Sequence, residues 1–214
     1  MDDSPFYVKT YYYVSITIFN EVNRGKSRRF LFVGLCTLLA LTSCQNPAET
    51  TTEPNVYYDV EGFVQSQIQL LSQQQPTIEK TMVVGQDEEK RTTKAVDWKK
   101  EFELFLQADI NKPAFRQSYA TQRPDSLTYA YTIRTGEDLP VQFLKVILDK
   151  NSGKPALIEA KISSKNKLYE SEKNLSMRSE AKAGVWRVAS YQIKGFQELV
   201  ISDRKPFDVR VTVP

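Results

Sequence analysis

Apolar positions along residues 56–214 fall into two rhythms, helical first and strand-like afterwards. From Tyr58 to Gln74, Val60, Phe63, Val64, Ile68 and Leu71 recur at spacings of three and four, which predicts a helix with one apolar stripe. Asp59 stands where an N-cap belongs, and Pro76 ends the segment. Thr77 to Val84 and Lys90 to Ala95 predict a hairpin around the polar turn Gly85-Gln86-Asp87-Glu88-Glu89. A second helix is predicted over Trp98 to Asp109, capped by Asp97, with Trp98, Phe102, Phe105 and Leu106 as its stripe. Ala114 to Tyr119 adds a helical turn. From Ser126 the period becomes two: Leu127, Tyr129, Tyr131 and Ile133 alternate with small or polar residues. Val141 to Leu148, Ala156 to Ile162, Leu168 to Met177, Val185 to Ile193, Leu199 to Ile201 and Val209 to Val213 are the further predicted strands. Their loops are too short for crossovers, so neighbours must run antiparallel. The predicted fold is α+β: two amphipathic helices packed on one face of a curved, mostly antiparallel β-sheet, forming a single domain over 56–214.

A different pattern precedes that domain. Lys26, Arg28 and Arg29 make a basic cluster, and Phe30 to Leu41 follows without a charge. Twelve residues of helix rise about 18 Å, short of a hydrocarbon core about 30 Å thick. A basic region, a short apolar core and small residues are the parts of a secretory signal peptide, assigned to 1–43. Residues 1–25 fit that pattern poorly, since signal peptides begin shortly before their basic cluster, and a translation start near Val22 would give an ordinary one. Residues 44–55 hold Asn46, Pro47, Pro54 and several threonines with no apolar period, which predicts a flexible tether.

Leu41-Thr42-Ser43-Cys44 resembles the lipobox of bacterial lipoproteins. The resemblance implies that Leu41, Thr42 and Ser43 are read by the signal peptidase, with cleavage before Cys44. It implies a diacylglycerol on the Cys44 thiol and further acylation of the new amine. Two or more acyl chains anchor stably where one does not. Residue 45 is Gln and not the Asp that retains lipoproteins in the inner membrane of well-studied Gram-negative bacteria, which points to the outer membrane. The phrase Ala108-Asp109-Ile110-Asn111-Lys112-Pro113-Ala114-Phe115-Arg116, with the order helix, hairpin, helix, strands, resembles uncharacterised lipoproteins of Bacteroidota over residues 56–214. That resemblance brings no activity with it.

Composition narrows the chemistry. The chain has no histidine, which excludes a Ser-His-Asp triad, a histidine base and histidine metal ligands. Its two cysteines are Cys36 and Cys44; with Cys36 in the signal, the mature chain has no disulfide and no thiolate zinc site. Residues 1–43 hold Lys9, Arg24, Lys26, Arg28 and Arg29 against Asp2, Asp3 and Glu21, a net of +2, so the rest carries only +1 of the chain's +3. A near-neutral domain gives no field to steer nucleic acid.

The remaining constellations are weak. Gly25-Lys26-Ser27 lacks the second glycine of a phosphate loop, since residue 20 is Asn. Glu170 and Glu172 share a strand face about 7 Å apart, a useful spacing for glycoside hydrolysis, but Asn174 and Ser176 continue that face as a solvated one. Asp149 and Asn151 lack the calcium-loop pattern and serve a hairpin turn. Lys161, Lys165 and Lys167 read as a solvated loop cluster. Tyr57, Tyr58, Tyr129, Tyr131, Tyr191, Trp98 and Trp186 are expected to be mainly core, or else to line a concave face for a hydrophobic ligand or partner.

The expectation is therefore a cell-envelope lipoprotein facing the periplasm or the cell surface, acting as a non-enzymatic binding or assembly accessory. Its partners are the membrane, through lipid on Cys44, and other envelope proteins, with no cofactor and no metal. Two alternatives stand beside it: a carrier of a lipid or other apolar ligand between sheet and helices, and a hydrolase built on carboxylates. The carrier needs an apolar cavity, and the hydrolase needs a carboxyl of raised pKa in a cleft.

Overall fold

Hydrogen bonding across nine strands organises the chain in the computed structural model, which describes residues 55–214. The strands are β1 (Ile78–Val84), β2 (Asp87–Thr93), β3 (Tyr119–Gln122), β4 (Thr128–Ile133), β5 (Val141–Leu148), β6 (Pro155–Lys165), β7 (Tyr169–Lys182), β8 (Val185–Leu199) and β9 (Ser202–Thr212). They form one sheet in the order β2-β1-β9-β8-β7-β6-β5-β4-β3, antiparallel throughout. The fold is mostly β with a few helices: α1 (Val60–Gln74), α2 (Trp98–Glu101), α3 (Glu103–Gln107) and a 3₁₀ turn at Pro113–Phe115. Strands β3 to β9 make a continuous meander. The β1–β2 hairpin joins beyond the last strand, pairing Lys80 with Val211 and Met82 with Val209. Residues 55–214 belong to one compact unit.

Side-chain alternation builds the core. Tyr131, Leu144, Ala160, Leu175, Ile193 and Val209 lie in one cross-strand row, and Val146, Ile158, Met177, Tyr191 and Val211 in the next; all are buried. The helices add Val60, Val64, Leu71, Trp98, Phe102 and Phe105 to the same cluster. The opposite face carries charge matched across strands: Lys145 to Glu159 at 3.2 Å and Lys161 to Glu172 at 2.9 Å.

Local chemistry sets several boundaries away from the predicted ones. Asp59 caps α1 by accepting from the Gly62 amide at 2.8 Å, and Gln75 ends it in the left-handed region at φ 45°. The stripe has a polar member the apolar period missed. Gln67 is buried, and its amide accepts from Val188 N at 2.9 Å and donates to Trp186 O at 3.4 Å. Strand β9 ends at Thr212, so it offers no partner to this stretch of β8, and the Gln67 amide takes the place of a strand neighbour.

The helix predicted over Trp98 to Asp109 is two short helices that meet at Phe102 (φ −99°, ψ 7°), whose ring is fully buried between Trp98, Phe105 and Tyr191. The β1–β2 turn is only Gly85-Gln86, with Gly85 at φ 62°. Tyr119–Gln122, assigned partly to a helical turn by its sequence, is a strand paired to β4. Of Leu199 to Ile201, predicted as a strand, Leu199 ends β8 opposite Ser202, and Val200 and Ile201 make the β8–β9 turn. Strands β7, β8 and β9 run far beyond their apolar stretches, because backbone pairing with neighbours on both sides carries polar residues along. At Gly195 the strands come so close that a Cβ would meet the Glu172 carbonyl oxygen at 1.9 Å.

Candidate functional site

Cys44 and the residues Leu41, Thr42 and Ser43 lie outside the described residues, as does the predicted signal peptide. What the structure assembles is the ground around the start of α1.

Residues 108–116, on which the family resemblance rests, form a clasp. Asn111 Oδ1 accepts from Tyr57 N at 2.9 Å while its Nδ2 donates to Tyr58 O at 3.0 Å, so one side chain reads the backbone entering the helix. Asp109 is buried and accepts from Asn111 N at 2.9 Å and from Glu61 N at 3.4 Å. Acceptance from a first-turn amide suits the positive end of a helix. Tyr57 closes the clasp from the other side, its hydroxyl donating to Arg116 O at 2.7 Å and its ring packing edge-on to Tyr131 and Tyr119. The Tyr131 hydroxyl oxygen in turn accepts from Tyr58 N at 2.9 Å. Burial pushes the Tyr119 and Tyr131 hydroxyls above their ordinary pKa, which keeps them neutral donors and acceptors. The phrase is thus a structural anchor for the first turn of α1.

Beside that anchor lies an open recess of about 430 Å³, lined among others by Tyr58, Asp59, Phe63, Gln67, Lys154 and Trp186. Three elements meet there. Helix α1 supplies Phe63 and Gln67, the β5–β6 turn supplies Gly153 and Lys154, and the start of β8 supplies Trp186. Trp186 is half-buried and held by its Nε1 donating to Pro155 O at 3.0 Å. Tyr58 is half-buried with its ring 5.5 Å from that of Tyr129, and its hydroxyl pKa is raised, first by burial and then by the neighbouring Tyr129. The Arg123 guanidinium covers the Tyr129 ring at 3.7 Å. A second recess, of about 470 Å³, lies between the end of α1 and Trp98 and is lined by Ser72, Gln75, Lys94, Ala95, Val96 and Trp98.

The other singled-out aromatics are core. Trp98 and Tyr191 pack around Phe102 at centroid distances of 5.4 and 5.3 Å, filling the space between α2 and the sheet. Under them Glu101 accepts from Lys80 Nζ at 2.6 Å and from the Tyr191 hydroxyl. Both members of that ion pair are largely buried.

The carboxylates do not converge. Glu170 and Glu172 share a face of β7, as their spacing predicts, but each is engaged by a lysine of β6. Lys165 meets Glu170 at 2.7 Å and Lys161 meets Glu172 at 2.9 Å, and these contacts hold both carboxyls below their ordinary pKa. Lys161 and Lys165 therefore sit on a strand and not in the loop cluster read from the sequence; Lys167 alone lies in the turn. Asp149 accepts from Ser152 N at 2.7 Å and Asn151 N at 3.1 Å, and those amides lower its pKa while shaping the hairpin turn. Among the described residues no group of histidine, cysteine or acidic side chains is placed to hold a metal, and no helix is long and apolar enough to cross a membrane. The chain matches no family model, no curated protein and no solved structure.

Proposed function

We propose that the chain is an envelope lipoprotein, tethered by lipid on Cys44, whose domain acts as a non-enzymatic binding accessory through the recess at the start of α1. In this reading the helices are amphipathic covers on a curved sheet, and residues 44–55 let the domain stand off the bilayer. The observation that carries it is the Tyr58–Phe63–Trp186 lining. Two half-buried aromatic rings and a phenylalanine meet around Gln67 and Lys154 on rigid elements, with the first turn of α1 pinned by Asn111 and Asp109. Rings with one apolar body and one polar tip favour partner recognition over further core packing. The lining carries no group set for proton transfer: its one carboxylate, Asp59, is engaged in capping α1.

The reading is tested in cells of the source organism with a photo-reactive phenylalanine analogue in place of Phe63. Discrete adducts with one envelope protein are expected, lost in a Trp186→Ala chain that keeps its thermal midpoint. Mass spectrometry of the same material is expected to give an acylated N-terminus at Cys44. An unacylated chain that retains residues 1–43 would overturn the anchor, and illumination that yields no adduct would overturn the binding role.

A further inference from the structure

Several side chains that line the recess by α1 hold hydrogen-bonding capacity that the fold does not use. Tyr58 is half-buried; its backbone and its ring are engaged, but its hydroxyl has no hydrogen-bond partner among the described residues. The raised pKa keeps that hydroxyl neutral, able both to donate and to accept. Asp59 accepts from Gly62 N through Oδ1 at 2.8 Å, which leaves Oδ2 as an acceptor. Ser66 donates its hydroxyl to Phe63 O at 2.6 Å, and its oxygen can still accept. Lys154 is exposed, and no group among the described residues engages its ammonium. The lining thus sets donors beside acceptors, with one positive charge and one negative. Aromatic faces stand among these groups. Trp186 is half-buried and fixed by its Nε1 donating to Pro155 O at 3.0 Å, and Phe63 projects from the first turn of α1.

Other ligand classes fit this lining worse. A peptide that adds to a strand needs free backbone groups. On this side of β8 the Val188 amide and the Trp186 carbonyl are both held by Gln67, and the backbone entering α1 is held by Asn111, Asp109 and Tyr131. A lipid chain needs an enclosed apolar cavity, whereas this recess is open and carries charged groups in its lining. A small ion gains little where Lys154 and Asp59 offset each other. A sugar ring matches every feature. Its faces carry C–H groups that lie on the electron-rich face of an aromatic ring, and its rim carries hydroxyls that each donate and accept. The volume of about 430 Å³ is within the range of small-ligand sites.

Resting on the proposal that this recess is the domain's binding site, we infer that its ligand is a neutral sugar residue of an envelope glycan, stacked on Trp186 with the Tyr58 hydroxyl, Asp59 and Lys154 at its rim. A photo-reactive phenylalanine analogue at position 63 inserts into C–H bonds of sugars and peptides alike, so the atom it joins reports the ligand class. The full chain is illuminated in cells of the source organism, and the adducts are digested with protease and fragmented by mass spectrometry. The peptide around position 63 is expected to carry glycosyl fragments. A sugar joined to a second peptide would place the glycan on a partner protein, and a sugar series without one would place it on a polysaccharide or glycolipid; both support the inference. Tyr58→Phe removes a hydroxyl that no group in the fold uses, and is expected to lower the sugar-linked adducts severalfold at an unchanged thermal midpoint. A yield that Tyr58→Phe leaves untouched would overturn the inference. Adducts joined only to amino-acid side chains would overturn it as well, while leaving the recess a binding site. No adduct of any kind would remove the binding role itself, and the sugar with it.

Discussion

At the scale of single residues, backbone conformation separates two tight turns of the sheet. The β1–β2 turn places a glycine where φ is positive, but the β7–β8 turn places Ala183 at φ 50° ahead of Gly184 at φ 77°. Two consecutive positive φ values match the right-handed twist of a two-residue hairpin, and they favour Asn-Gly over Ala-Gly because a Cβ without a local hydrogen bond is penalised in the left-handed region. Ala183→Asn is therefore expected to stabilise the fold by about 0.5–1 kcal/mol, and Ala183→Val to destabilise it by about as much or more. Urea midpoints of the two variants, measured beside the parent, check both signs. The neighbouring site Ser179 shows why strand register is not a residue-level property. The ladder slips between Arg178 and Ser179, so Ser190 faces Arg178 but Val188 faces Ser179 and Ala189 is left as the bulge.

Elements are held to one another by a few buried polar contacts placed within apolar surroundings. Gln67 joins α1 to β8, Asn111 joins the segment after α3 to the start of α1, and Glu101 joins α2 to β1 and β8. The third is an ion pair with side chains only 12% and 17% exposed, Lys80 and Glu101 respectively. In such a place the attraction between the charges barely exceeds the cost of desolvating them, whereas removing one partner strands the other. Glu101→Ala is expected to cost about 3 kcal/mol, and the double change Lys80→Met with Glu101→Leu to cost much less than the sum of its parts. A double-mutant cycle on chemical denaturation reads that difference directly. Additive losses would mean that the pair is not coupled as its geometry implies.

For the molecule as a whole, the sheet's order joins the two ends of the described chain: β1 lies between β2 and β9, so the first hairpin enters the sheet by pairing with the last strand. Stability should also have a definite acid limit. Asp97, Asp125 and Asp149 accept amide hydrogens in caps and turns, and Glu170 and Glu172 accept from lysines; all five carboxyls have pKa values below their ordinary ones. Groups whose folded pKa is depressed stabilise the fold above their unfolded pKa, and that contribution disappears as pH falls through the folded values. The denaturation midpoint is expected to be flat toward neutrality and to fall from about pH 4 downward. Asp125→Ala, which removes the acceptor for Leu127 N, Thr128 N and the Thr128 hydroxyl, should lower stability at neutral pH and flatten the acid fall. A parent whose midpoint rose on acidification would contradict the assignment.

What could be read from the sequence alone was whatever depends on near neighbours in the chain. The 3.6-residue period and Asp59 located α1, period-two alternation located β4, and short polar loops required antiparallel pairing. The export proposal rests on the local composition of Lys26 to Cys44, which lies outside the described residues. Tertiary structure decided whatever depends on partners distant in sequence. Strands β7 to β9 extend through polar residues because neighbours supply their hydrogen bonds, which no hydropathy pattern records. The helix over Trp98 to Asp109 breaks at Phe102 where the ring is drawn between Trp98 and Tyr191. Gln67 stands outside the apolar period, and its burial follows only from the edge of β8 that β9 leaves open, about 120 residues away, which gives its amide two backbone partners. Glu170 and Glu172 shared a face on spacing alone, but only the pairing of β6 with β7 set a lysine against each and made them structural carboxylates. Leu199 to Ile201 was apolar enough to suggest a strand, but the register of β8 with β9 ends the strand at Leu199 and leaves Val200 and Ile201 in an exposed turn. Local periodicity constrains an element through its own backbone, whereas burial and charge pairing are settled by which element arrives alongside.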